Sequence, residues 1–259
     1  MGDDRDTGRG EGRGEGDPGR FRDPLLYDVE SPWGLDDEFY LALARRVGGP
    51  VLDLGCGTGR LARAIAKAGI PVTAVDPSPE ALELARGLSG SLPVEWVQGD
   101  SPTIELGRRF RLALMTGHAF QSLLTEGDQN AAFARVYAHL LPRGTFAFEL
   151  RNPAARSGDA GPGARPWRSY RDLLGRWVDV TVLSRWDEGG RVERLSVTRT
   201  RRDTGAVERS RIALRHTDVS DVNLLLLRHG FSVLTQHGDW TEGPLTPESP
   251  AVVSVCQAF

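Results

Sequence analysis

The chain has 259 residues, 39% hydrophobic and 26% charged, which suits one well-filled soluble core. Its formal net charge of -3 gives no global argument for binding nucleic acid. No stretch approaches the roughly 18 consecutive apolar residues that a membrane helix needs.

The first twenty residues, MGDDRDTGRGEGRGEGDPGR, carry almost no apolar surface to offset the entropy of ordering. Residues 1–20 are therefore expected to be a disordered tail ahead of a single domain over 21–259. This stretch does not read as a secretory signal, and Asp6 stands where a myristoylation signal needs Ser or Thr. Cys56 and Cys256 form no metal spacing and read as free thiols in the reducing cytoplasm. Lys67 is the only lysine, an arginine bias that points to a GC-rich genome.

Order is expected from FRDPLLYDVE onward, and SPWGLDDEFYLALARRVGG predicts a helix with Asp36, Asp37 and Glu38 in its first turn. Strands and helices then alternate. PVLDLG is a strand, GRLARAIAKAG a helix and PVTAVD a second strand. SPEALELARGL is a helix capped by Ser78 with Pro79 at its first position. VEWVQGD and RLALMTG are the third and fourth strands, QNAAFARVYAHLL a helix and GTFAFEL the fifth strand. Strands that are apolar almost throughout and separated by helices predict a doubly wound, mostly parallel sheet covered on both faces.

After residue 151 the pattern changes. RNPAARSGDAGPGARPW reads as a loop. RWVDVTVLSRW, RVERLSVTRT and AVERSRIALRH, separated by the turn signals DEGG and RDTG, predict an antiparallel β insertion over residues 168–217. VSDVNLLLLRHG is a helix, and FSVLTQ and AVVSVCQAF are two final strands.

In such a sheet, ligands bind beyond the carboxyl ends of the strands. The first strand ends in GCGTGR, whose glycines permit positive φ and a close backbone approach. Asp76 follows Gly55 by 21 residues and ends the next strand, where a carboxylate can hold two ribose hydroxyls. The pair points to a nucleoside-containing cofactor. The spacing GxGxG, with Arg60 next, departs from the dinucleotide pattern GxGxxG. Asp53, two residues before the loop, is poorly placed for a pyrophosphate and suits a ligand carrying an ammonium group.

VLDLGCGTGR, VTAVDPSPEAL and VQGD together resemble the successive motifs of the class I S-adenosylmethionine-dependent methyltransferases, over about residues 25 to 150. LMTGHAFQSLLT and FELRNP further resemble a bacterial small-molecule branch. The resemblance implies a Rossmann-like, seven-stranded sheet with an antiparallel last strand, and S-adenosyl-L-methionine as cofactor. It also implies roles: Gly55, Gly57 and Gly59 beneath the methionine and ribose, Asp76 on the ribose hydroxyls and Pro77 against the adenine. Asp100 would accept from the adenine amino group, Ser101 contact a ring nitrogen, and Thr116 and Gly117 close over the methionine tail. Asp53 would brace the loop, and Arg60 would either reach the cofactor carboxylate or face solvent.

Methyl transfer from a sulfonium is an in-line displacement, so the protein's main contributions are alignment and exclusion of water. His118, at the mouth of the site, is the candidate base if one is needed; a structural role is the alternative. His139, His216, His229 and His237 read as structural, and no metal is expected. Tyr27 and Trp33 precede the first helix, Tyr27 as a pocket closure and Trp33 more as core. Arg151 and Asn152 would meet the acceptor or anchor a loop. Trp167, Trp177 and Trp186 would line a cover or pack within strands. The partner expected is a small-molecule methyl acceptor, with the insertion covering the site or forming a homodimer contact. Rival readings are a non-catalytic S-adenosylmethionine-binding module, an RNA methyltransferase using the arginine-rich segment, and an NAD(P)-dependent oxidoreductase.

Overall fold

The computed structural model describes residues 28–155 and 163–259. The expected tail over residues 1–20, and Tyr27, lie outside them.

Short, wholly buried strands build the centre of the molecule. In chain order the elements are α1 (Leu35–Val47), β1 (Val51–Leu54), α2 (Arg60–Lys67), β2 (Val72–Asp76), α3 (Pro79–Ser89) and β3 (Val94–Gln98). There follow β4 (Phe110–Met115), α4 (Glu126–Ala138) and β5 (Leu140–Arg151). The inserted strands are β6 (Arg165–Arg171), β7 (Trp177–Trp186), β8 (Val192–Arg201) and β9 (Val207–Arg215). The chain closes with α5 (Val219–Arg228), β10 (Phe231–His237) and β11 (Ala251–Ala258).

The seven-stranded sheet runs β10-β11-β5-β4-β1-β2-β3. β11 is antiparallel to both its neighbours, while β1, β2, β3, β4 and β5 pair in parallel. The strand order reverses between β1 and β4, which places the ligand crevice at their carboxyl ends. The expected reversed last strand is therefore present.

The alternation of side chains sorts two cores. Leu52, Leu54, Phe146, Phe148 and Leu150 face one side, with Phe133 of α4 and Leu226 of α5. Val51, Leu112, Leu114 and Ala147 face the other, with Tyr40 of α1 and Ile65 of α2. By the same period of two, Asp53 and Glu149 point to this second face.

Three local expectations need correction. The meander has four strands, not three, because Arg165–Arg171 pairs antiparallel with β7. Its sequence, RPWRSYR, is mostly exposed on an edge and carries no apolar alternation, so pattern reading took it for loop and began the insertion three residues late. α4 begins at Glu126 because Thr125 caps it, accepting from the Asp128 amide at 3.0 Å. β5 begins at Leu140, directly after α4, and passes a register shift opposite Phe110–Leu112.

A hollow of about 450 Å³ opens at the other end of the sheet, lined by Pro50, Pro71, Thr73, Glu95, Arg108 and neighbours. Thr73 and Glu95 there both bond Arg108. It lies away from the strand carboxyl ends.

Candidate active site

The loop after β1 is bare backbone by necessity. Gly55, Gly57 and Gly59 have φ of 75°, 56° and 73°, a region costly for any residue with a Cβ. A Cβ at Gly59 would enter the Trp96 ring, and one at Gly55 would lie 2.7 Å from the Ala119 Cβ. The loops after β1 and β4 therefore touch.

Asp76, buried at the end of β2, holds this loop. Its Oδ2 accepts from the Gly57 amide at 2.7 Å and its Oδ1 from the Ser78 amide at 2.9 Å. These two bonds tie the end of β2 to the glycine loop and to the start of α3. Sequence reading gave Asp76 the ribose alone and missed its work on the loop.

The other expected residues line the same edge. Pro77 is exposed beyond β2, Asp100 is exposed beyond β3 and Ser101 is buried beside it. Asp100 also turns the chain, its carbonyl accepting from the Thr103 and Ile104 amides. After β4, Gly117 and His118 are both left-handed, with φ of 61° and 67°, and Thr116 closes the turn by accepting from the Ala119 amide. His118 is half-buried there. The structure thus brings all the expected cofactor residues and His118 to one edge.

The electrostatics of that edge are negative. Asp53 is buried directly below the glycine loop, and its Oδ1 has no hydrogen-bond partner. Burial, then the charges of Asp76 and Asp37, push its carboxyl up to about 7. Among the described residues, the nearby cation Arg60 is engaged elsewhere. It pairs with Asp37 at 2.9 Å and donates to the Ser31 carbonyl, which holds the guanidinium against the segment before α1 and the first turn of that helix. Bare glycine amides, buried acceptors and an unpaired acid fit the adenosine, sulfonium and ammonium of S-adenosylmethionine. They do not fit a pyrophosphate.

Glu149, two positions before the end of β5, is the largest omission of the sequence reading. It accepts from the Tyr40 hydroxyl at 2.6 Å, the Trp240 indole at 2.9 Å and the Gly117 amide at 2.8 Å. Burial raises its pKa, against those three bonds. The only signal was a lone acid in the apolar run FAFEL.

Neighbouring residues act as anchors. Asn152 donates to the carbonyls of Thr246, Pro247 and Ser249, which settles it as a loop brace. Trp33 is 38% exposed and bonds Glu38 rather than packing in the core. Trp167 and Trp177 are also exposed, each under an arginine, Arg168 and Arg171 respectively. Trp186 packs on His216. His139 caps α4, its ring bonded to the Arg135 carbonyl and the Leu106 amide.

Charged contacts dock the inserted sheet against this edge. The segment before α1 bridges the two: Asp28 accepts from Thr58 of the glycine loop at 2.6 Å, while Glu30 pairs with Arg199 of β8 at 2.6 Å. Arg168 of β6 donates to the Glu30 carbonyl. At the other side Arg151 lies 3.5 Å from Glu193 of β8, which also bonds His216 at 3.1 Å. Nothing local in the sequence announces these long-range pairs.

A family model described as a methyltransferase domain matches residues 51–144. The cypemycin N-terminal methyltransferase of a Streptomyces species is 32% identical over 143 residues, 55% of this chain and 57% of that protein. The ubiquinone biosynthesis O-methyltransferase of Xanthomonas oryzae is 31% identical over 180 residues, 53% of this chain and 75% of that protein. The chain spans about half the length of the first of these relatives, 57%. In fold, the S-adenosylmethionine-bound amino pentose methyltransferase CalS10 of Micromonospora echinaspora superposes with a TM-score of 0.72 at 24% identity, over 90% of this chain and 95% of that one.

Proposed function

The chain belongs to the S-adenosylmethionine-dependent methyltransferases, and from that premise we propose that it methylates a small-molecule acceptor. The observation that carries the reading is the glycine loop bonded to Asp76, above the unpartnered acid Asp53. Bound there, S-adenosylmethionine supplies an already activated methyl group. The protein then has to orient it, exclude water and, where the acceptor needs it, take a proton.

In this reading Gly55, Gly57 and Gly59 pass beneath the cofactor, Asp76 holds the ribose hydroxyls, and Pro77, Asp100 and Ser101 take the adenine. Thr116 and Gly117 close on the methionine tail, and Asp53 faces its ammonium. His118 is the proton acceptor at the acceptor side. The inserted sheet covers the acceptor, a role favoured by the Glu30–Arg199 and Arg151–Glu193 contacts of its inner face. The relatives named for N-terminal methylation of cypemycin and for O-methylation in ubiquinone biosynthesis support an acceptor nitrogen or oxygen. The free thiols of Cys56 and Cys256 suit the cytoplasm.

Titration calorimetry with S-adenosylhomocysteine, and separately with NAD and NADP, tests the cofactor. Micromolar binding of S-adenosylhomocysteine alone is expected. Binding of a dinucleotide instead would refute the reading. Transfer of labelled methyl from S-adenosylmethionine to a panel of small amines and phenols then separates the enzyme from a binding module.

A further inference from the structure

We propose that Glu149 is a positioning residue for the cofactor's amino-acid end, acting through the Gly117 amide. The inference rests on the reading of the site as an S-adenosylmethionine site.

The geometry places Glu149 at a junction of four elements. Its Oε1 accepts from Gly117, in the loop after β4. Its Oε2 accepts from Tyr40 of α1 and from Trp240 of the β10–β11 loop. On its own strand, β5, it pairs with Val253 of β11. Both side-chain donors are fixed in sense: an indole N–H only donates, and burial raises the Tyr40 phenol well above its ordinary pKa, so it keeps its proton.

The Gly117 bond matters because of where that residue stands. Gly117 and His118 are consecutive left-handed residues, a conformation that a non-glycine residue such as His118 holds only when its surroundings impose it. The carboxylate anchors the amide at the centre of that turn. The turn in turn packs Ala119 against Gly55. β1 stands between β4 and β2 in the sheet. A nucleoside held by Asp76 on the β2 side must therefore extend its other end toward β4, over Gly55 and toward Thr116–His118. Glu149 thus governs one end of the ligand and not the other.

Glu149→Gln is a demanding test because the size is kept and the acceptor set is not. An amide offers one acceptor oxygen and one NH₂ donor. The single oxygen belongs on the side of the two donors Tyr40 and Trp240, which turns the NH₂ against the Gly117 N–H. The Gly117 turn should loosen while the nucleoside end is untouched.

Two probes read the two ends: S-adenosylhomocysteine, which has the amino-acid tail, and adenosine, which lacks it. In Glu149→Gln, S-adenosylhomocysteine should weaken by about tenfold or more, while adenosine stays within about twofold of the parent. The Gly117 amide proton, deshielded by the carboxylate, should move upfield in the spectrum of the ligand-free variant. Equal weakening of both probes, or of neither, overturns the proposal. If Glu149→Gln does not fold, Tyr40→Phe and Trp240→Phe each remove one donor and should weaken S-adenosylhomocysteine by about two- to fivefold, again sparing adenosine. No change in either variant overturns it equally. If the parent protein binds neither probe, the cofactor reading fails, and the ligand-free Gly117 resonance still decides whether Glu149 holds the turn.

Discussion

The seven-stranded sheet and the inserted four-stranded sheet are held by different forces. The central strands of the first are buried on both faces, one face carrying an aromatic cluster in which the Phe133 ring lies 5.1 Å from Phe120 and 5.4 Å from both Phe146 and Phe148. The second buries a smaller apolar set, Val178, Val180, Leu195, Val197 and Leu214, beneath a polar and arginine-rich surface, and two of its ties to the body are ion pairs spanning long stretches of sequence. Hydrophobic burial is non-directional and tolerant of sequence separation. A buried ion pair acts only through its own two partners, and losing one leaves the other unsolvated. The two sheets should therefore fail differently when cut.

Phe133→Ala opens a cavity at the centre of the aromatic cluster and should cost about 3–5 kcal/mol, read by urea unfolding of the whole chain. Amide exchange should rise throughout the seven-stranded sheet. A loss below about 1 kcal/mol would show that the cluster repacks freely and is not what holds the body together.

Arg199→Leu tests the other sheet. Arg199 is 11% and Glu30 4% exposed, so the substitution strands a buried carboxylate and should cost about 3 kcal/mol. The expected signature is regional: exchange protection falls in β6–β9 and in residues 28–31, while β1, β4 and β5 keep theirs. Uniform loss across both sheets would erase the distinction. Double substitution with Glu30→Leu should recover much of the stability, because no charge is then left unpaired.

The same difference of forces explains what was legible. Apolar runs and glycine spacing are local, so VLDLG, VTAVD and the capped helix at Ser78 could be read directly. Glycine at 55, 57 and 59 marks left-handed backbone in the sequence itself. What escaped was non-local. Glu149 gathers donors from residues 40, 117 and 240, and Glu30 meets Arg199 across 169 positions. β6 escaped because an exposed edge strand needs no apolar period. Arg60 escaped because its partners, Asp37 and the Ser31 carbonyl, lie before the strand that leads to it.

At the proposed cofactor edge, Asp76→Ala removes the acceptor of the Gly57 and Ser78 amides and, in the proposed reading, that of the ligand hydroxyls. Charge-assisted bonds of roughly 1.5–3 kcal/mol each should lower S-adenosylhomocysteine affinity by at least about tenfold. Adenosine should weaken equally, the opposite of the pattern expected at Glu149. An unchanged dissociation constant in folded protein would remove Asp76 from the site.

The smallest expected change in affinity concerns Asp53, whose carboxyl is raised to about 7 by burial first and by Asp76 and Asp37 next. An unfolded aspartate titrates near 3.9, so between about pH 4 and 7 the folded chain binds the extra proton and stability falls as pH rises. Above about 7 the penalty is complete; below about 4 it is absent. Ligand binding should run the other way, because the ionised carboxylate is the form that attracts an ammonium group. S-adenosylhomocysteine affinity should therefore rise by about fivefold from pH 6 to 8. Asp53→Asn should flatten both curves, making the variant more stable than the parent at pH 8 and weaker in binding there. A parent whose stability and affinity move together with pH would place the titrating group elsewhere, since only an unpaired acid facing a cation costs the free protein what it gives the complex.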